Sequence, residues 1–151
     1  KVYIDKALRN YTVPFSLRSA GKTMTAVSRG SRIAIDDSVK IIRPFIWWTN
    51  TKNDIIDVDL SVAVFADNWD CLEHVSYSNL KSSRFGICHS GDITNGGPVD
   101  GEGVAEFIDL DIEKALSAGA RYAAFNVYNF SDENFSKMEH AAFGFMTRND
   151  M

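Results

Sequence analysis

The sequence predicts an all-β protein: a β-sandwich of two antiparallel sheets with one short helix. Three observations lead there. Apolar residues alternate with polar ones in several short stretches, as half-buried strands require. Turn-forming residues separate those stretches at short intervals. Only one segment carries helix-terminating signals at both ends, so the order is many strands with a single helix between two of them.

The first strand spans Val39 to Trp48, a β-branched and aromatic run interrupted by Pro44. A proline removes a ladder donor, which predicts an edge position or a bulge there. The second, Ile55 to Phe65, alternates most clearly. Val58, Leu60, Val62 and Val64 share one face; Asp57, Asp59 and Ser61 share the other. Asp67-Asn68-Trp69-Asp70 is a small oxygen cluster that reads as an Asx-type hairpin turn. Further strands are expected over Leu72 to Tyr77, Arg84 to Ser90, Val104 to Leu110, Tyr122 to Phe130 and Ala141 to Thr147. Asp111 caps the helix, Glu113 sits in its first turn, and Gly119 fits the position past its end. Phe45, Trp47, Trp48 and Phe65 are expected to pack in the core or between sheets.

The 151 residues suffice for one domain with an appendage. Hydrophobic residues are 45% and charged residues 24%, which excludes a disordered chain. No apolar run approaches the roughly 20 residues needed to span a bilayer. Neither a signal peptide nor a disulfide framework is visible, and the two cysteines suit a cytoplasmic setting. The chain opens on Lys1, which suggests a piece cut from a longer protein.

Charge is unevenly distributed. Residues 1–52 hold ten basic against three acidic residues, a net of +7, and the remainder is −11. Residues 1–28 read as a basic extension and residues 29–151 as the domain; residues 16–32 read either as a mobile arm or as a helix from Ser19 to Arg29 built of weak formers. The extension suits an anionic membrane surface or the acidic part of the same chain. The acidic part would repel phosphates, which argues against nucleic acid and for a cation.

The most unusual stretch is Cys88 to Glu106, with five glycines and the acids Asp92, Asp100, Glu102 and Glu106. Glycines let such a loop fold back tightly, and its carboxylates would then repel one another unless a cation intervened. Calcium, which takes six to eight oxygens and tolerates irregular loops, fits this pattern. Asp57 and Asp59 would add two carboxylates if their face meets the loop. The plainer reading is a solvated hairpin loop. Other constellations are weaker. Cys71, His74, Cys88 and His89 lack zinc-ligand spacing. His89-Ser90-Gly91-Asp92 is adjacent in sequence rather than convergent in space, so it is no hydrolase triad. Gly21-Lys22-Thr23 lacks the rest of a phosphate loop.

The Asp57-Val58-Asp59-Leu60-Ser61 strand, the Ser90-Gly91-Asp92 step, the Asp100 to Glu106 loop and the Phe107 to Asp111 strand follow one another in an order that resembles the TerD family of bacterial tellurium-resistance and general-stress proteins. Arg29-Gly30 to Ile35 and Ile42 to Trp48 look like that family's first strands. Asn126-Val127-Tyr128 and Phe143 to Arg148 look like later ones. The resemblance implies a non-enzymatic β-sandwich that binds Ca2+ through loop carboxylates and acts with other proteins of a stress-response system. Its metal-side positions would be Asp57, Asp59, Asp92, Asp100, Glu102 and Glu106. The chain departs from the pattern at Ile93, which offers no side-chain oxygen; Asn95 is the candidate to compensate. The alternative is a metal-free interaction module of a longer multidomain bacterial protein.

Overall fold

The computed structural model describes residues 30–131 and 134–150. The basic extension, with the Ser19–Arg29 helix and the Gly21-Lys22-Thr23 tripeptide expected in it, lies outside the described residues. The chain divides into two compact units, Lys1–Asp36 and Asp37–Met151. In the first, the described residues from Gly30 onward form no strand, and Ile33 and Ile35 are both exposed. This corrects, for Gly30–Ile35, the strand that the resemblance implied over Arg29–Ile35: a segment without a ladder partner forms no strand.

The described residues of the second unit form eight strands and one α-helix: β1 (Ile41–Trp48), β2 (Val58–Phe65), β3 (Cys71–Val75), β4 (Lys81–Ser82), β5 (Ile87–His89), β6 (Val104–Asp111), α1 (Ile112–Ser117), β7 (Tyr122–Asn129) and β8 (Ala141–Arg148). A 3-10 turn, Phe135–Lys137, precedes β8. All pairings are antiparallel. One sheet runs β4-β5-β6-β1-β8 and the other β3-β2-β7. The expected all-β sandwich with one short helix is what forms.

The alternation of β2 decides which face is buried. Val58, Leu60, Val62 and Val64 are all at most 1% exposed. They meet Ile46 and Trp48 of β1, Ile87 of β5, and Ile108 and Leu110 of β6 in one core. Burial of this kind stabilises by about 1.5–3 kcal/mol per large side chain. The helix ends as its signals predict. The Asp111 carboxylate accepts the Lys114 amide at 2.9 Å, and Gly119 takes a positive φ of 99°.

Three expectations are corrected. Pro44 is neither at an edge nor in a bulge, because β1 lies between β6 and β8. Its missing N–H is accommodated where the β1–β6 ladder skips Arg43 and Pro44 without changing register. There the Arg43 guanidinium clasps Asp109, with Nε to Oδ1 at 2.6 Å, and lies 4.1 Å over the Phe107 ring. Among the four aromatic residues expected inside, only Trp48 belongs to the core. Trp47 donates to the Glu102 carbonyl, and Phe45 covers the bare Cα of Gly144. The expected Arg84–Ser90 strand is reduced to β5, and the two-residue β4 appears before it.

Candidate metal centre

Asp57, Asp59 and Asp92 each place a carboxylate oxygen within 4.8 Å of the others. Among the described residues this is the one cluster of metal-ligating side chains. It joins the two sequence segments expected to meet: the β2 acids and the Gly-Asp step after β5. Asp59 lies on β2, opposite Tyr128 in the β2–β7 register. Asp57 sits just before β2. Its amide donates to the Ser131 hydroxyl at 2.7 Å, and its carbonyl accepts the Phe130 amide at 2.9 Å. Both contacts come from the chain leaving β7, so the end of that strand fixes where Asp57 stands.

Asp92 is exposed, yet its backbone is anchored on both sides. Gly91, at φ 124°, donates its amide to His89 Nδ1 at 3.0 Å. Ile93 donates its amide to Glu106 Oε1 at 2.9 Å, and its side chain packs against the core. The residue that departs from the TerD pattern thus serves as an apolar anchor for the loop.

Behind the three acids lies a buried His89–Glu106 pair. Glu106 is 0% exposed. Its second oxygen accepts the Leu60 amide at 3.0 Å and lies 3.6 Å from His89 Nε2. His89 Nε2 faces the Leu60 carbonyl at 2.9 Å. Because Gly91 donates to Nδ1, that nitrogen is the acceptor, and the ring proton sits on Nε2 in the neutral tautomer. The strand explains the arrangement. β3 begins pairing with β2 only at Val62, opposite Val75. Leu60 is left with no strand partner on that side, and two side chains of the other sheet take the place of one.

Electrostatics follow from this packing. Burial pushes the Asp57 and Asp59 carboxyls above the usual range, and Asp92 adds repulsion to both. Burial likewise raises Glu106 to about 7, against the pull of its two amide donors and with the charges of Asp59 and Asp92 adding to the rise. Burial lowers His89, in keeping with the neutral ring. The Asp57 Oδ1 atom is sealed from solvent and has no hydrogen-bond donor. A buried anionic oxygen without a partner is costly, and a cation beside it would remove that cost.

The other acids expected at the metal are not in this trio. Glu106 has both oxygens engaged by backbone amides, so it supports the site from behind. Asp100 and Glu102 are exposed. Asp100 lies in a turn closed by the Gly101 amide on the Pro98 carbonyl. Asn95 is also occupied, since its side-chain oxygen accepts from Asn50 and from the Gly97 amide. Asn50 in turn accepts from the Ile56 and Gly96 amides, tying the glycine-rich loop to the chain before β2. A Cβ on Gly96 would stand 2.7 Å from the Thr49 backbone, so the close approach needs glycine.

The weaker constellations do not assemble. Cys71 and Cys88 are free thiols outside any metal-ligating cluster among the described residues. Ser90 accepts the Phe107 amide, while His89 is turned to Leu60 and Gly91. Asn68 makes the expected turn, its side-chain oxygen accepting the Asp70 amide. No helix among the described residues is long and apolar enough to cross a membrane.

In comparisons with known proteins, the chain matches no family model, no curated protein and no solved structure.

Proposed function

We propose that the domain is a non-catalytic calcium-binding module of the TerD type, acting in a cytoplasmic stress response through loops ordered by the ion. One observation carries this reading: three carboxylates from two segments converge, and one of their oxygens, Asp57 Oδ1, is buried without a donor. The donor set is all oxygen, which suits a hard cation rather than zinc or copper. Opposite oxygens in a calcium shell are roughly 4.6–5.2 Å apart, twice the usual metal–oxygen distance. The trio fits inside that span. Three carboxylates supply up to six oxygens if bidentate, and water or backbone carbonyls would complete the shell. The bound ion would neutralise the trio and hold the 91–103 loop against the start of β2, presenting a defined surface to protein partners.

The test is thermal unfolding with calcium or with a chelator. An ion that binds only the folded state stabilises it in proportion to RT ln(1 + [L]/Kd). The melting temperature should rise with calcium and return when calcium is chelated. An unchanged melting temperature at millimolar calcium would overturn the proposal. The second reading, a metal-free interaction module, is favoured by the apolar side chains exposed along β7 and β8.

A further inference from the structure

Among the described residues, each sheet ends on an eight-residue strand that carries little charge. β7 (YAAFNVYN) is the edge of the three-stranded sheet, and β8 is that of the five-stranded sheet. From Ala141 to Thr147, β8 has no charged residue, and β7 has none at all. Natural edge strands are usually blunted by lysine, proline or a bulge. Neither strand has such protection, and no register shift occurs in the β1–β8 or β2–β7 pairing.

The inner face of β8 is also open. Phe143 is opposite Ile46 in register and Phe145 opposite Pro44, so both point the same way as those buried residues. Ile46 is 2% exposed, whereas Phe143 is 55% and Phe145 41% exposed. A mainly apolar groove of 440 Å³ runs here, lined by Ile46, Phe125, Val127, Phe135 and Phe143, with Asn126 as its polar member.

We propose that this open side is the interface with a second copy of the same chain. A twofold axis perpendicular to the sheets would set β8 antiparallel to the copy's β8 and β7 antiparallel to its β7, closing both sandwiches at once. Such an interface is self-complementary, and with Arg148 at the end of β8 as the one charge on either strand, the strands meet with little like-charge repulsion. The rings available on that side are those of Phe135, Phe143 and Phe145, each 41–55% exposed. At about 150–250 Å² for a full aromatic side chain, they present on the order of 300 Å². Tyr128 and Met146, exposed on the outer faces of the same edge strands, would meet their counterparts across the twofold, and the two strand backbones add to the buried area, which is that of a small interface between weakly associating copies.

Sedimentation velocity of the 151-residue chain, from low to high micromolar concentration, tests the proposal. A discrete dimer is expected, with concentration-dependent hydrogen-exchange protection of β7 and β8 amides. Phe143→Lys should give a monomer with an unchanged far-ultraviolet circular dichroism spectrum. Should that variant fail to fold, Met146→Lys, on the outer face of β8, should weaken the dimer at least tenfold. A monomer at every concentration would overturn the proposal. So would open-ended aggregation without a dimer, a dimer formed with β7 and β8 unprotected, or a dimer unaffected by a folded Phe143→Lys or Met146→Lys variant.

Discussion

The carboxylate of Glu106 accepts the backbone amide of Leu60 at 3.0 Å and so joins β6 of one sheet to β2 of the other. Its second oxygen holds Ile93. Leu60 follows Asp59 and Ile93 follows Asp92, so one buried acid positions the backbone beside two members of the trio. Glu106→Ala would leave both amides without acceptors and open a cavity. The expected loss is about 2–4 kcal/mol at neutral pH, measured by urea unfolding. The calcium response should weaken in the same variant, although Glu106 is outside the trio.

The titration of this pair gives the metal-free protein an unusual pH dependence. Glu106 has its carboxyl raised from 4.5 to about 7, so the folded state holds its proton more tightly. Its contribution is fully present below its ordinary value and is lost as pH rises through about 7. The whole effect is at most about 3 kcal/mol. Asp57 and Asp59, also raised, act with the same sign at lower pH. His89 is lowered from 6.5 and opposes them, withdrawing stability as pH falls below that value. Urea midpoints in a chelator should therefore rise from pH 8 to about 6.5 and then flatten. With saturating calcium the upper limb should reverse, since protons then compete with the ion.

Asparagine substitutions separate the trio from the other acids. Asp92→Asn should abolish the calcium-dependent rise in melting temperature and raise the metal-free melting temperature slightly, because it removes repulsion on Asp57 and Asp59. Asp100→Asn should leave both values near wild type, since Asp100 lies in an exposed turn outside the trio. Scanning calorimetry of the two variants, with calcium and with a chelator, checks the distinction.

The glycine-rich loop owes its position to close backbone approach. Gly103, at φ 72°, has the Trp47 indole 2.5 Å from where a Cβ would be. Gly103→Ala adds a steric clash to a backbone conformation that alanine rarely adopts. It should cost about 1–3 kcal/mol in urea unfolding. Trp47, whose indole donates to the Glu102 carbonyl, should report the displacement by its fluorescence.

The sequence carried the parts of this structure that depend on local pattern. Alternation placed Asp57 and Asp59 opposite the buried valines of β2, and Asp111 with Gly119 bounded the helix. Turn chemistry identified Asn68. What stayed hidden depends on distant partners. Glu106 has the same side chain as a ligand, and only the unpaired backbone of Leu60 reveals its role. Pro44 argued for an edge because nothing local shows that β6 and β8 flank it. Two residues of β4 are too few for a period, and Gly30–Ile35 lacks a ladder partner. The one signal for Glu106 was its place in an apolar alternation: Glu106, Ile108 and Leu110 share the inward face.

Isothermal titration of calcium into the metal-free chain, beside Asp92→Asn, tests the central claim most directly. Saturable binding near one ion per wild-type chain, with none in the variant, is the predicted result. No heat at any buffer ionisation enthalpy, or equal binding by both proteins, would contradict a calcium site built from Asp57, Asp59 and Asp92.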